Sequence, residues 1–492
     1  DRSQLSIMDE LPSDSMLSMH DGVSFYSTLT TIDESSLNTD VFYTGSDDGR
    51  VMGTTDGGLN WSDLTDNIPG LPDNTYVSRI IASKTLEGRV YATFDGHYSG
   101  DFQPYVYRSD DFGEEWTSII SGLPESSVNV ILEHPEQENL VFVGSEVGIF
   151  VSIDAGATWN PLMNGLPTVP VDDIKLHHRN NDLVIGTHGR GIWILDNITP
   201  LVEIAENSVQ TDSPYLFQTG VATQWRTANI QEWTGSAEFR LDNPTNDVRI
   251  RYWIPEGFQS SSDMEFKIMT TTGQEIRSLS EKITPGSHEV LWDYRMNPAF
   301  VDDQDGPGNN RFRRGPRAQG PMVMPGIYQI QVEVGQVTMF GDVMVQMDPR
   351  VEISNDELES RQEALMSIYR LQKPVFEATQ AVQRLEEQLE EAVKLIEGTD
   401  HSDDSLSKEA EQMMLTLEDI RKNLTSLPMG VGGSIEGSHT LPTQDQLEDI
   451  ERAWEDGPAI IEDLNFLISN SMPQFYQSMN TAGIRADPGN II

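Results

Sequence analysis

The sequence predicts a mainly β chain with an α-helical C-terminal tail, and three observations support this fold class. One eight-residue motif occurs three times within the first third of the chain. Alternating apolar and polar residues, punctuated by turn residues, fill much of residues 237–347, as in strands with one buried face. After residue 354 the apolar residues recur with the 3.6-residue period of helices.

The repeated motif reads Ser/Thr-x-Asp-x-Gly-x-x-Trp, and each residue type has a structural reason. The Asp can accept hydrogen bonds from turn amides, the Gly permits a positive φ, and the Trp supplies apolar surface for packing. The motif is identified as the Asp-box, or BNR repeat, of β-propellers, which implies hairpin turns with mostly buried Trp rings and no chemistry. The residues that carry it are Asp56, Gly58, Trp61, Asp111, Gly113, Trp116, Asp154, Gly156 and Trp159.

The spacing of the motifs predicts a repeat architecture. Asp111 and Asp154 are 43 residues apart, close to the length of one four-stranded blade. A strand-like run precedes each motif, and a fourth run at residues 183–186 leads into a degenerate copy. Residues 21–197 are therefore predicted to form about four blades of a β-propeller, after an N-terminal extension at residues 1–20.

Four blades leave exposed sheet edges, which propellers remove by closing on themselves. Asp-box propellers usually contain six or more blades. We therefore expect a partner, the upstream half of the propeller, which completes the ring either as part of the same gene product or as a separate chain.

Composition limits the class of protein. The formal net charge is −47, and most of the basic residues are Arg. Such a surface resembles that of salt-adapted proteins, with ordinary extracellular solubility as the alternative. The charge disfavours nucleic-acid binding. The absence of Cys excludes disulfides and thiolate metal sites, and no apolar run is long enough to predict a membrane span.

The second half of the chain is predicted to contain two further domains. Residues 198–236 are expected to be a connector, and residues 237–347 a β-sandwich. The runs Gly273-Gln-Glu-Ile-Arg-Ser-Leu279, Gly286-Ser-His-Glu-Val-Leu-Trp-Asp293 and Pro325-Gly-Ile-Tyr328 resemble the Ig-like domain of flagellar hook-capping proteins. That resemblance implies a spacer or docking module without enzymatic activity.

Residues 354–482 are predicted to form an antiparallel helical bundle, followed by a tail at residues 483–492. Ser354 or Asn355 can cap the first helix, and Pro374 predicts a kink or break near residue 372. Two more helices are expected, at about residues 404–424 and 443–471.

Two loops of the first domain carry candidate ligand-binding residues. The inserted segment at residues 95–104 is polar and aromatic, which suits recognition. The Gly-rich turn near residue 189 either faces a ligand or supports the junction with the following domain, and the second interpretation is preferred. The candidates are His97, Tyr98, Asp101, His188, Arg190 and Trp193.

One acidic segment suggests a cation. Oxygen donors alternate in residues 302–306 as they do in Ca²⁺ loops, which points to Asp303 and Asp305, but no Glu follows at the EF-hand distance. No firm cofactor is predicted.

The segments at residues 94–111 and 188–201 look like large secreted bacterial BNR-repeat proteins, often labelled glycosyl hydrolase or sortilin-like. This resemblance implies an exported protein, extracellular or periplasmic, with further blades upstream. No catalytic residue can be assigned, because the chain has too many carboxylates to single out a hydrolase pair. We expect a binding or scaffold protein with a glycan or peptide ligand. A glycoside hydrolase with its site in the upstream blades and a sortilin-like peptide receptor are the alternatives.

Overall fold

A computed structural model describes residues 27–163, 165–206, 212–227, 243, 245–258, 260, 262–301, 319–398, 404–438 and 440–484. The expected extension at residues 1–20, Asp303, Asp305 and most of the tail lie outside these ranges. The chain divides into two compact units, residues 1–218 and 219–492.

The described part of the first unit contains four antiparallel sheets, in each of which neighbouring strands follow one another along the chain. Sheet 1 comprises β1 (Leu29–Glu34), β2 (Phe42–Ser46), β3 (Val51–Thr54) and β4 (Ser62–Asp63). Sheet 2 comprises β5 (Tyr76–Ala82), β6 (Val90–Asp95), β7 (Tyr105–Ser109) and β8 (Thr117–Ser118). Sheet 3 comprises β9 (Val128–His134), β10 (Gln137–Ser145), β11 (Gly148–Ser152) and β12 (Asn160–Pro161). Sheet 4 comprises β13 (Val171–His177), β14 (Asp182–Thr187) and β15 (Ile192–Leu195).

Because the strand order is the same in all four sheets, equivalent turns lie at the same end of each sheet. The turns between second and third strands lie at one end, here called the loop end; they are residues 46–51, 95–105, 145–148 and 187–192. The three motif turns connect third to fourth strands and therefore lie at the opposite end, here called the motif end. Each first strand begins at the loop end, since Leu29 pairs with Ser46 and Val77 with Phe94.

The expected connector is partly regular. Helix α1 (Thr199–Ala205) follows sheet 4, and Ile198 and Ala205 join the core between sheets 3 and 4. Glu203 is buried on this helix and accepts hydrogen bonds from the Tyr215 hydroxyl at 2.9 Å and the Gln218 amide at 3.0 Å. Burial raises the pKa of Glu203, and these two donors compensate in part. Tyr215 lies in the short strand β16 (Tyr215–Leu216).

The second unit begins with β-structure whose strands are β17 (Ala222–Gln224), β18 (Val248–Ile254), β19 (Met264–Thr270), β20 (Glu275–Glu281), β21 (Gly286–Trp292), β22 (Gly326–Val334) and β23 (Val337–Met347). One sheet has the order β17-β23-β22-β19-β20, with β17 parallel to β23. β18 pairs with β21. Aromatic rings connect β18 and β21 to the larger sheet. The ring centroids of Tyr252 and Phe266 lie 5.3 Å apart, and those of Trp292 and Tyr328 lie 5.5 Å apart, so the two layers share one core.

The C-terminal region is helical, with α2 (Asn355–Glu397), α3 (Asp404–Ser426), α4 (Val431–Glu436), α5 (Gln444–Phe466) and α6 (Met472–Thr481). Ser354 caps α2 in a reciprocal arrangement with Glu357. Of the expected kink or break near residue 372 the break is wrong, because α2 continues through Pro374, with buried Leu371 and Val375 on either side. The third expected helix is instead α5 and α6, joined by a π turn at Leu467–Ser471. Among the described residues, no helix is long and apolar enough to cross a membrane.

Candidate functional site at the loop end

The motif turns show why their residue types recur. In sheet 3, the Asp154 carboxylate accepts hydrogen bonds from Ser152 Oγ at 2.7 Å and the Thr158 amide at 2.8 Å. Ser152 Oγ in turn accepts from the Gly156 amide at 2.8 Å, and Gly156 has a φ of 89°. Asp56 and Asp111 make the same pair of contacts in sheets 1 and 2. All three carboxylates are therefore occupied within their own turns.

The hydrogen bonds in these turns also set the acidity of the carboxylates. In Asp56 and Asp111 the largest influence is a backbone amide, from Asn60 and Glu115 respectively, and it lowers the pKa. The pKa of Asp154 is lowered as well. Partial burial acts to raise it, but four hydrogen bonds to the carboxylate outweigh the effect of burial. Ionised, fully bonded carboxylates of this kind stabilise a turn and offer no free acid or base.

The motif Trp residues differ in burial, contrary to the expectation that all three are mostly buried. Trp116 and Trp159 are 6% and 3% exposed, and Trp159 Nε1 donates to the Ile119 carbonyl of the preceding sheet at 2.7 Å. Trp61 is 42% exposed. The physical reason is position, because each motif Trp packs towards the preceding sheet and sheet 1 has none among the described residues.

Neighbouring sheets contact one another through a β-bulge residue of the first strand, which has no partner in the strand register. Every first strand carries a β-bulge at the same position, at Thr30, Ser78, Asn129 and Asp172. The side chains of the first three donate to the carbonyl just before the bulge of the next sheet, at 2.7 Å to Val77, 2.6 Å to Val128 and 3.4 Å to Val171. Asp172, a carboxylate in sheet 4, breaks the series and contacts His188 instead.

Apolar residues interlock at the same positions. Val77, Val128 and Val171 precede the bulges and are fully buried. Val77 and Val171 fill the space beside Gly45 and Gly144, where a Cβ atom would collide with them. In sheet 4 the corresponding Gly186 has no atom within 3.4 Å of such a Cβ, the nearest being at 3.5 Å. Sheet 2 carries Thr93 at this position and uses its hydroxyl to bond Ser78 at 2.8 Å.

The first strands lie close to one another at the loop end. Arg79 of sheet 2 reaches Asp173 of sheet 4 at 3.0 Å, although sheet 3 lies between them in the series. The four first strands therefore line the inner side of an arc.

The inserted loop of sheet 2 is organised by two carboxylates. Asp95 is buried, and its carboxylate accepts from the His97 amide at 2.9 Å and contacts His97 Nδ1 at 2.6 Å. Asp101 accepts from the Tyr105 hydroxyl at 2.7 Å. Burial, followed by Asp101, raises the pKa of Tyr105 and keeps that hydroxyl a donor. The loop thus presents a fixed imidazole; the Tyr98 side chain lies outside the described part.

The loop of sheet 4 places the second group of candidates on the surface. His188 Nδ1 lies 3.3 Å from Asp172, and Trp193 Nε1 donates to the Arg190 carbonyl at 3.2 Å. Arg190 forms no ion pair with any residue that the structure describes. His188, Arg190 and Trp193 are solvent-accessible, so this turn is available to a ligand.

Sequence analysis missed several polar residues at the loop end. Asp47 is buried, and burial raises its pKa; one oxygen accepts from the Thr28 amide at 2.8 Å while Oδ2 has no partner among the described residues. Arg79, Asp172 and Asp173 were missed too. Their only signal is a position at, or one residue after, the bulge of a first strand, which becomes visible once the bulges are aligned.

The loop end therefore combines imidazoles, carboxylates, an indole and Arg190, which has no ion pair among the described residues. All six predicted ligand residues lie at this end, three in the loop of sheet 2 and three in the loop of sheet 4. Among the described residues, no hydrogen bond joins the candidates of one loop to those of the other. The described residues contain no cluster of three or more His, Asp or Glu that could hold a metal ion. Such a surface can recognise a polar ligand.

No family model and no curated protein matches the chain. Several solved structures resemble part of it at low similarity. The GH74 enzyme of Niastella koreensis aligns with 12% identity and a TM-score of 0.29, over 35% of this chain and 29% of that one. YCF48 from Cyanidioschyzon merolae aligns with 17% identity and a TM-score of 0.27, over 35% and 56%. A structure of YCF48 bound to D1 peptide aligns with 15% identity and a TM-score of 0.26, over 34% and 50%. The chain thus spans less than a third of the GH74 enzyme, and likeness at this level assigns it no function.

Proposed function

We propose that this chain is part of an exported binding or scaffold protein built on an Asp-box β-propeller. Sheets 1–4 are consecutive blades of a larger ring, and the loop end is the ligand-binding side. The Ig-like module and helical bundle of the second unit serve as spacer and docking parts. The observation that carries this proposal is the repeated interlock between sheets, which stops at two open faces.

The open face of sheet 1 exposes the groups that the other sheets bury. Leu29 and Ile32 occupy the positions of Val77 and Ile80 on the first strand, yet they are 61% and 65% exposed, whereas Val77 and Ile80 are at most 1% exposed. Trp61 adds a third apolar group. Apolar side chains exposed at positions that the other sheets bury are typical of an interface.

The open face of sheet 4 has the complementary features. A Cβ atom at Gly186 would meet only Asp173 of its own sheet, at 3.5 Å or more, and the apolar side chains of β15 are exposed, whereas those of β11 in sheet 3 are buried. The neighbour of sheet 4 therefore carries a β-branched or Leu residue before a bulge. The neighbour of sheet 1 offers the matching space. Both requirements fit the upstream half of the propeller, from the same gene product or as a separate chain.

The test is reconstitution of the ring. The upstream blades, supplied as a separate polypeptide, should bind this chain, and Leu29→Asp with Ile32→Asp should weaken binding at least tenfold. Glu34→Gln on the same strand is the matched control, because it changes an exposed polar residue. Equal affinity of the double variant, or a monodisperse monomer of this chain that ignores the upstream blades, would contradict the proposal.

The ligand test uses the completed ring. A panel of glycans and peptides, with product analysis, separates binding from hydrolysis. His188→Ala and Arg190→Ala should weaken binding of a retained ligand about tenfold, whereas Lys175→Ala on β13 should not. Conversion of any glycan to shorter products would overturn the non-catalytic assignment.

The acidic composition supports export by a salt-adapted bacterium. With 79 acidic and 32 basic residues, self-repulsion is large in dilute buffer and is screened in molar salt. The melting temperature should rise between 0.1 and about 3 M NaCl. A flat or falling melting temperature would favour ordinary acidic solubility.

A further inference from the structure

The helical part of the second unit contains a cavity that the proposed propeller function does not use. It has a volume of about 340 Å³ and lies between α2 and the segment that runs from the end of α5 into α6. Its apolar wall includes Leu385, Ile468, Met472 and Tyr476. Pockets of this size hold small molecules with a mostly apolar body.

A widened turn of helix borders the cavity. Between α5 and α6 the chain forms a π turn at Leu467–Ser471, in which the Met472 amide bonds the Leu467 carbonyl five residues back. Pro473 follows directly and has no backbone N–H to offer the Ser469 carbonyl four residues earlier. Both Ser469 and Pro473 line the cavity. Single π turns inside α-helices recur at functional sites, because they open space and backbone groups to a ligand.

The rim of the cavity carries one cation and several amide or hydroxyl groups. Arg384 lies on α2, and Gln388 follows it one turn later. Arg384 forms no ion pair with any residue in the described ranges, although acidic residues outnumber basic ones by 79 to 32 along the chain. Asn465 and Ser469 face it from the other side of the cavity. A guanidinium in this position presents a fork of N–H donors that matches a carboxylate.

We propose that this cavity binds a small apolar carboxylate. The apolar body lies against Leu385, Ile468, Met472 and Tyr476, and the carboxylate pairs with Arg384. The Arg384 guanidinium favours a carboxylate over an amine. This site is independent of the propeller and needs no upstream blades.

The test is isothermal titration calorimetry of the whole chain with octanoate, and with octanol and octylamine as probes of the same length. Octanoate should bind at least tenfold more tightly than the other two. Arg384→Gln should remove that preference, and Arg384→Glu should transfer it to octylamine. Lys373→Gln is the matched control, since Lys373 is an exposed cation on the same helix that pairs with Glu377 away from the cavity. Ala381→Trp, which fills the cavity, should abolish binding of all three probes.

Two results would overturn the proposal. One is equal affinity for octanoate in the unaltered chain and in Arg384→Gln. The other is octanoate binding that survives Ala381→Trp. Because Arg384 is exposed, the helical circular dichroism and melting temperature of its variants should match those of the unaltered chain, which separates loss of binding from loss of fold.

Discussion

The faces between the sheets and the two outer faces of the series are built from the same sequence pattern but differ in burial. Between sheets, a bulge residue donates to the next strand and motif Trp rings are covered. On the outer faces, Leu29 and Trp61 are exposed, and Gly186 has no residue of another sheet packed against it among the described residues. The neighbour, and not the residue type, therefore decides whether a position of the repeat is buried.

This comparison explains why the motif is a poor guide to activity and a good guide to assembly. Its carboxylates bond their own turns, and its Trp rings bond or cover the preceding sheet. Any copy without a preceding sheet exposes its ring. The exposure of Trp61 is therefore explained by the lack of a preceding sheet among the described residues and gives no evidence for a ligand site.

The largest expected effect is loss of a covered motif Trp. Trp159→Ala should destabilise the first unit by about 3–5 kcal/mol, since it removes a buried ring and leaves a cavity. Trp61→Ala should cost much less, because that ring is already 42% exposed. Urea unfolding followed by circular dichroism measures both. Equal losses would show that sheet 1 has a covering neighbour in solution.

The second effect concerns the space between sheets. In Gly144→Ala the new Cβ would lie 2.6 Å from a Val171 methyl and 2.8 Å from the Val171 carbonyl, and the backbone atom cannot move aside easily. We expect a loss of about 1–3 kcal/mol from overpacking. Gly186→Ala meets nothing closer than 3.5 Å and should be neutral in this chain. In the completed ring, however, the same Gly186→Ala change should become unfavourable.

Much of this fold could be predicted from local signals. The motif located the turns between third and fourth strands, and apolar alternation predicted strands within residues 237–347, because both depend on contacts within a few positions. The cap of α2 was predicted as Ser354 or Asn355, and in the structure it is Ser354, in a reciprocal arrangement with Glu357. The third helix was predicted to end at about residue 471, whereas α6 extends to Thr481, and the π turn at Leu467–Ser471 was not predicted.

The candidate site was only partly predictable. His97 and His188 stood out because imidazoles and glycines are conspicuous in a loop. Asp95, which orients His97, lies at the end of a buried strand and gave no separate signal. The Arg79–Asp173 pair depends on the packing of sheets 2 and 4, which are separated by a whole sheet in the sequence. Contacts between residues so far apart in the sequence leave no local sequence pattern.

A third prediction concerns the motif carboxylates. Asp154→Ala should cost about 1–3 kcal/mol by leaving turn amides unpaired. The lowered pKa of Asp154 also fixes the pH dependence: its stabilisation is present above the ordinary pKa of Asp and is lost as pH falls through the lower folded value. The difference in stability between Asp154→Ala and the unaltered chain should therefore shrink in acid. A constant difference from pH 7 down to about pH 2 would contradict the role of the ionised carboxylate.

The smallest expected change in stability comes from removing one hydrogen bond between neighbouring sheets. Ser78 Oγ donates to the Val128 carbonyl at 2.6 Å, so Ser78→Ala should destabilise the first unit by about 1 kcal/mol. Asp172 holds the corresponding position in sheet 4, where no acceptor follows among the described residues. Asp172→Ser supplies a donor there and should leave the chain alone unchanged in stability. With the upstream blades bound, the new hydroxyl can reach a carbonyl of the closing blade, and the affinity should rise severalfold. If Asp172→Ser weakens that complex, Asp172 itself contacts the partner and the interlock does not continue past sheet 4.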